Sequence, residues 1–382
     1  MSLYGIEVSS DIISITPFHR ILQLDGFLTL LILGIGFMIV PRFRNVLLPK
    51  PKLAYVSFAL VVVSIGLTFI ENNEIFFLSD ALRLAGIGIF SGIVFWLVQK
   101  KPKLLRKSDY FLVMSILIFL TVNVLGIIFD HYDYSFDSLS QIQLWLLFPI
   151  LMIFGVQYKF LPSFIGFMRP KNKTGDLTII LAGITCIFGI LSVLNLNEII
   201  PFLFSFSLLS TAILFSISLY IFGGFDNSEI KKLFRGEKKA RFDYLSILTK
   251  ISFSFLFLGI IIGILFRIYP EIFSFYDLTI HYTAIGFIGF TIMLFLPMML
   301  PPIINKSIEF LKFKKSPIIL VMSALVIRTI GDFIFLQTDS FESSGLEYLF
   351  GLSGWLIVLA LFIFVIMIHR SMKTMSSDLQ TI

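Results

Sequence analysis

The chain has 382 residues, of which 57% are hydrophobic and 14% are charged, and its formal net charge at pH 7 is +6. Soluble domains carry about a quarter charged residues, so this composition excludes an ordinary water-soluble enzyme or binding module. Runs of about 18 or more apolar residues recur along the chain, and each can cross a hydrocarbon core about 30 Å thick. We therefore predict an all-α, polytopic membrane helix bundle.

The apolar runs predict eleven spans within a single integral membrane domain over residues 1–382. In chain order the spans cover 19–41, 53–71, 78–98, 110–129, 139–161, 177–195, 199–223, 246–267, 278–300, 316–336 and 346–369. The residues before the first span lack the pattern of a cleavable signal peptide. The longest connection, near 224–245, is charged, and we expect it to be solvated.

The distribution of charge between the loops predicts the orientation. Loops after odd-numbered spans carry Lys and Arg, as in Arg42, Arg44, Lys50 and Lys52 after the first. Loops after even-numbered spans are acidic: "ENNE" (71–74), "DHYDYSFD" (130–137) and "DSFESSGLE" (339–347). Because cytoplasmic loops are enriched in Lys and Arg, the N-terminus is predicted outside the cell membrane and the C-terminus in the cytoplasm. The positive charge then indicates contact with lipid headgroups rather than with nucleic acid.

Spans 1, 5 and 9 share a register, which is defined by three prolines near their predicted cytoplasmic ends: Pro41, Pro162 and Pro301. Phenylalanine stands 14 residues before each proline, at Phe27, Phe148 and Phe287. A period of four spans predicts a pseudo-threefold repeat of four-helix arcs, approximately 17–130, 139–268 and 277–370. The alternative explanation is that proline commonly interrupts membrane helices.

Candidate metal ligands are few. Cys186 is the one cysteine, which excludes an intramolecular disulfide and a thiolate metal cluster. The four histidines are His19, His131, His281 and His369. His131 belongs to an acidic loop predicted to be external and hydrated, and His369 belongs to the inner end of the last span. His19 and His281 are expected in the outer leaflet, at the start of spans 1 and 9.

The positions of His19 and His281 predict one shared site. Thr16 and Pro17 predict the start of span 1, and Asp277 predicts the cap of span 9. His19 stands 22 residues before its aligned proline and His281 stands 20 before its own. On a helix, this difference of two residues is a rotation of about 200° and a rise of about 3 Å. Equivalent helices would therefore present them to one space from opposite sides. Two imidazoles beside an apolar space lined by Gly and Phe fit a haem better than a bare metal ion, which requires more ligands. The alternative is two interfacial histidines bonded to backbone or headgroups.

Ionisable residues inside spans are functional candidates by default. Beyond the histidines they are Asp25, Arg83, Lys250, Arg328 and Asp332. Arg328 and Asp332 are four residues apart, which predicts an ion pair within one helix. Arg20 and Arg83 lie on the predicted outer side, where they could bind haem propionates or lipid phosphate.

The stretch "HRILQLDGFLTLLILGIGFMIVP" (19–41) resembles the first motif of the NnrS family of haem- and copper-containing membrane proteins. The matching positions are His19, Gly26, Phe27, Gly34 and Pro41. Ile21 stands where the family motif has its second histidine.

Two later segments resemble further motifs of the same family. "HYTAIGFIGFTIM" (281–293) matches through His281, Gly286 and Gly289. "FGVQYKFLPSF" (154–164) matches through Pro162 and Phe164, with Lys159 in place of an arginine.

The NnrS family is in turn similar to the catalytic subunit of haem–copper oxidases, whose twelve spans form three four-helix arcs with ligands on spans 2, 6 and 10. This chain would follow that plan without the first span. The resemblance implies haem b at His19 and His281, and a link to nitric oxide handling or the respiratory stress response. A complete oxidase or nitric oxide reductase of this superfamily needs six ligand histidines, and the chain has four. We therefore do not expect a complete enzyme of either kind.

Three functions follow from these observations. The preferred one is a haem protein that carries an electron to or from a redox partner, senses a diatomic gas or buffers haem. Two histidine ligands leave no open position on iron, which favours electron transfer among these three. The second is a haem-free membrane scaffold or transporter with Asp25, Arg83 and Arg328 along a polar path, and Ile21 favours it. The third and least favoured is copper on Met293, Met298 and Met299, which lie far from His281.

Overall fold

The computed structural model describes residues 19–70, 73–100, 106–132, 138–165, 170, 172–194, 196–223, 234–301, 306–338 and 346–374. Its apolar helices are α1 (His19–Arg44), α2 (Pro51–Leu67), α3 (Asn73–Gln99), α4 (Lys107–Tyr132), α5 (Leu139–Ile165), α6 (Asn172–Val193), α7 (Ile199–Ser218), α8 (Gly236–Ile268), α9 (Phe273–Met299), α10 (Ser316–Thr338) and α11 (Leu346–Ser371). Ten of these helices are long and apolar enough to cross a membrane. The chain is a multi-pass, all-α membrane protein, as the composition predicts.

Several element boundaries differ from the prediction: α3, α6 and α9 begin earlier, α7 ends earlier, and α2 and α8 differ as follows. The second predicted span, 53–71, corresponds to α2, which has 17 residues and ends at Leu67. The eighth predicted span, 246–267, corresponds to α8, which begins at Gly236. The segment after Gly236 is rich in Glu, Lys, Ala and Arg, and these strong helix formers extend the helix into the predicted charged connection. Residues 224–233 of that connection lie outside the described residues.

Residues 19–156 and 189–196 form one compact unit, called here the first unit. Its helices α2 and α3 pack closely at Gly86, where a Cβ atom would approach the carbonyl oxygen of Ser57 to 2.8 Å. The Ser57 hydroxyl donates a hydrogen bond to the Gly86 carbonyl over 2.7 Å. At the C-terminal end of α1, Arg44 Nη1 forms a buried ion pair with Asp109 of α4 over 2.7 Å. These small and paired polar residues join helices that are otherwise apolar.

Residues 157–188 and 197–374 form the second unit. Its helices α8 and α9 approach closely where Gly286 faces Phe255, because a Cβ atom at Gly286 would come within 2.5 Å of that side chain. A two-stranded antiparallel pair, β1 (Lys306–Ile308) and β2 (Met372–Thr374), joins the segment before α10 to the end of α11. The Glu237 carboxylate of α8 accepts hydrogen bonds from the backbone N–H groups of Phe310 and Leu311. The sequence did not predict the strand pair.

The outer faces of the helices are apolar. On α11, Trp355 is 71% exposed and Phe362 is 64% exposed. A contiguous apolar surface of this kind promotes association in water and is stable against lipid. The two units do not coincide with the three predicted four-helix arcs, since the boundary falls inside α5, after Val156. The threefold arrangement stays a prediction.

Candidate functional site

The three helices that carry the motif segments are the most buried helices among the ten membrane-spanning helices. The most apolar 18-residue stretch is 67% buried in α1, 89% in α5 and 67% in α9. The other seven range from 22% to 50%. The helices that share the proline register are therefore also the ones most covered by the rest of the described structure.

Two of these helices also share an unusual backbone conformation. Residues Leu22–Leu28 of α1 and Tyr282–Gly289 of α9 are π-helical. Each segment begins 19 residues before the aligned proline, at Leu22 before Pro41 and at Tyr282 before Pro301. A π-helical segment is rare and frequently marks a functional site. In α5 the π-helical segment is Leu161–Ile165, which contains Pro162 instead of preceding it.

His281 lies at the junction between regular helix and π-helix in α9. Its Nδ1 atom is 2.8 Å from the carbonyl oxygen of Asp277 and 3.3 Å from Asp277 Oδ1. A carbonyl oxygen can only accept, so in the neutral imidazole Nδ1 carries the proton and Nε2 holds the lone pair. The side chain is 16% exposed. His281 is therefore oriented by a residue of its own helix through Nδ1.

Asp277 forms a bidentate ion pair with Arg328 in the second unit. Its two carboxylate oxygens accept hydrogen bonds from Nε and Nη2 of Arg328, each over 2.7 Å. This bidentate pair joins α9 to α10. The predicted ion pair between Arg328 and Asp332 is wrong, because the planar guanidinium fits both oxygens of Asp277 across the helix interface. The predicted capping role of Asp277 is also wrong, since α9 begins one turn earlier, at Phe273.

Arg83 forms the corresponding cluster of the first unit. Its Nη1 binds Asp25 Oδ2 over 3.1 Å, and its Nη2 binds Asp80 Oδ1 over 2.6 Å. Asp25 lies in the π-helical segment of α1, and Asp80 precedes Arg83 by one turn of α3. Because Arg83 already binds two carboxylates, its predicted contact with a haem propionate would have to compete with both.

His19 and Arg20 are exposed in the first turn of α1. Thr16 and Pro17, which predicted the start of this helix, lie outside the described residues. His19 belongs to the first unit and His281 to the second, so their joint site stays a prediction.

The aligned motif residues have different surroundings. Phe27 is 50% exposed, whereas Phe148 and Phe287 are fully buried. A Cβ atom would meet nothing within 4 Å at Gly34, but at Gly286 it would collide with Phe255. Gly286 therefore has a packing role that the motif alone does not indicate.

The remaining candidate ligands are His369, His131 and the methionines of α9. His369 is exposed in the last turn of α11, at the predicted end of the last span. His131 lies in the last turn of α4, its side chain is not described, and residues 133–137 of the acidic loop lie outside the described residues. Met293 is at least three turns beyond His281 on α9. Within the described residues, no group of three or more His, Cys, Asp and Glu side chains could hold a metal ion.

Sequence reasoning missed Asp80, Asp109 and the role of Asp277 as a partner of Arg328. Asp80 had a usable signal, because acid and arginine three residues apart face each other on a helix. Asp109 and Asp277 pair over 65 and 51 residues, and no local spacing indicates such pairs.

No protein-family model matches the chain, and no curated protein matches it. The resemblance to the NnrS family therefore depends on the three motif segments, and the site must be judged by its own chemistry.

Proposed function

We propose that the chain is an integral membrane protein of the NnrS type that binds one b-type haem between His19 and His281 and transfers electrons. The observation that carries the proposal is the orientation of His281. Metal-bound histidines almost always donate the second ring N–H to a carboxylate or a backbone carbonyl, which fixes the tautomer. Asp277 supplies both kinds of acceptor to Nδ1. This arrangement fits an axial haem ligand.

The backbone of α1 and α9 supports the proposal from a second direction. Both helices change to π-helix within three residues after the proposed ligand, at Leu22 after His19 and at Tyr282 after His281. Both also belong to the three most buried membrane helices, which is the position of ligand-bearing helices in a bundle.

The residues of the chain would determine how the site works. A bound haem supplies a one-electron couple, and two imidazole ligands leave no coordination position for a gas. Asp277 would hold His281 in the ligating tautomer. Arg20, which is exposed beside His19, is better placed to bind a propionate than Arg83, which binds Asp25 and Asp80. The membrane position favours an electron-transfer partner at the surface over a soluble substrate.

The orientation is part of the proposal: N-terminus outside, C-terminus in the cytoplasm, with eleven crossings that include the 17-residue α2. A helix of this length spans about 25 Å, close to the lower limit for a membrane crossing. Alkaline phosphatase inserted within 339–345 should be active, and the same reporter within 306–315 should be inactive. The reverse pattern would exclude this orientation.

Optical spectroscopy tests haem binding directly. Detergent-purified protein, prepared with haem available, should show a sharp reduced-minus-oxidised band of the b type. His19→Ala and His281→Ala should each lose the band, whereas His369→Ala, a histidine outside the proposed site, should keep it. Added imidazole should restore part of the band in His281→Ala, which separates a lost ligand from a folding defect. A colourless wild type would end the haem proposal.

A haem-free scaffold or transporter is the second candidate. It is favoured by the charged clusters inside the spans, Asp25–Arg83–Asp80 and Asp277–Arg328, because intramembrane ion pairs commonly belong to polar pathways. If the purified protein is colourless and folded, this candidate replaces the first.

A further inference from the structure

Asp332 of α10 is a buried carboxyl group that the haem proposal does not use. The residue is 2% exposed, and its Oδ2 atom has no hydrogen-bond partner in the described structure. The hydroxyl of Ser274 on α9 donates to the backbone carbonyl of Asp332 over 2.9 Å, which holds the two helices together here. A buried carboxyl oxygen without a donor requires an explanation.

The charged groups that interact with Asp332 are Asp277 and Arg328. Arg328 directs Nε and Nη2 to Asp277, in a bidentate pair, and also lies 5.0 Å from the ring centroid of Phe350. The other titratable groups on the facing parts of α9 and α11 with described side chains are Tyr276, His281, Tyr282 and Tyr348. Tyr282 bonds to Thr329, and Tyr348 is largely exposed. None of these interactions supplies a donor to Asp332 Oδ2.

The neighbouring carboxylate and the missing donor both favour the protonated form of Asp332 over the ionised form. Ionised Asp332 would place a second carboxylate beside Asp277, in apolar surroundings, with one oxygen that accepts no hydrogen bond. A protonated carboxyl is neutral and has an O–H group that can donate to a neighbouring carboxylate. With Asp332 protonated, the single positive charge of Arg328 balances the single negative charge of Asp277.

We infer that Asp332 is a proton-binding site inside the membrane-spanning part of the second unit, occupied at neutral pH, with its proton directed to the Asp277 carboxylate. The site goes beyond the haem proposal and does not depend on it. A positive charge brought to this end of α9 would favour release of the proton, and removal of that charge would favour its return. Buried carboxyl groups of this kind serve as proton relays in membrane proteins.

Infrared spectroscopy of the purified full-length protein tests the inference. A protonated carboxyl group has a C=O stretching band that an ionised carboxylate lacks, and this band shifts in D₂O. The wild type at pH 7 should show such a band, and Asp332→Asn should lose it. Asp80→Asn, in which a buried carboxylate bound to Arg83 is replaced, should keep the band. A wild type without the band, or an Asp332→Asn variant that retains the full band, would overturn the inference.

Thermal unfolding provides the second measurement. Asparagine has the size and charge of a protonated aspartate, so Asp332→Asn should unfold at the wild-type temperature. If Asp332 were ionised, the substitution would remove a buried charge that lies beside the Asp277 carboxylate without a donor, so a clearly higher temperature at pH 7 would contradict a neutral Asp332. Both measurements are possible on colourless protein, so their outcome is separate from the outcome of the haem test.

Discussion

Each unit buries an arginine among carboxylates, but the two arginines distribute their donors differently. Arg83 divides its two terminal nitrogens between Asp25 and Asp80. Arg328 directs two nitrogens to Asp277 alone, and the neighbouring Asp332 keeps an oxygen with no donor. The geometry of a guanidinium therefore decides which nearby carboxylates receive a hydrogen bond. In the first unit both acids receive a donor, and in the second only one does.

The clusters also differ in their relation to the π-helical segments. Asp25 lies inside the π-helix of α1, whereas Asp277 lies in the regular turn before the π-helix of α9 and contacts His281. The second cluster therefore orients a histidine of its own helix. The two helices share a register and a backbone irregularity, but the chemistry beside them is not repeated.

Removal of Arg328 should have a larger effect on stability than removal of Arg83. Arg328→Ala leaves the Asp277 carboxylate buried without its bidentate partner, and we expect a loss of about 3 to 5 kcal/mol in the free energy of unfolding. Denaturant titration of the purified protein in micelles measures this loss. Arg328→Lys is the matched control: it keeps the charge but cannot form the fork, so its loss should be smaller. Equal losses in both variants would contradict the importance of bidentate geometry.

Removal of Arg83 should cost less, because Arg83 directs one nitrogen to each of two acids instead of forming a bidentate pair, and because Arg20 is close enough to act on Asp25. For Arg83→Ala we expect about 1.5 to 3 kcal/mol, the range for hydrogen bonds to charged groups. The double variant Arg83→Ala/Asp25→Asn should recover part of the loss in the same titration. If Arg83→Ala cost more than Arg328→Ala, the contrast between the two clusters would be wrong.

The smallest effect concerns the glycines of the two motif helices. Gly286→Ala places a methyl group against Phe255, and we expect a loss of about 1 to 3 kcal/mol from overpacking. Gly34→Ala in α1 meets open space and should be neutral or slightly stabilising, because alanine favours helix. Thermal unfolding of both variants gives the comparison. A destabilised Gly34→Ala would indicate that another surface lies against this glycine.

Much of the fold could be predicted from the sequence because long apolar runs permit few structures in a membrane. Hydrocarbon forces the backbone to satisfy its own hydrogen bonds, so each run becomes a helix, and ten runs of spanning length give a multi-pass bundle. The three helices that carry Pro41, Pro162 and Pro301 are also the most buried of the ten, which the sequence did not predict. The boundary of α8 was missed because a charged segment can be helical beyond the apolar run.

The ion pairs could not be predicted in the same way. Residues Arg328 and Asp332 have the spacing of an ion pair on one helix, yet Arg328 pairs with Asp277 on another helix. The spacing along a helix determines which side chains are near each other, but a planar guanidinium binds best where both oxygens of a carboxylate face it. Which carboxylate does so depends on how α9 packs against α10.

The sequence by itself determined that this is a membrane helix bundle and which charges the spans contain. Only the tertiary structure decided the partners of those charges: Arg83 with Asp25 and Asp80, and Arg328 with Asp277. The reason is physical, since helix formation in lipid depends on local hydropathy, whereas a buried charge is stabilised by whichever opposite charge the packing brings within hydrogen-bond distance.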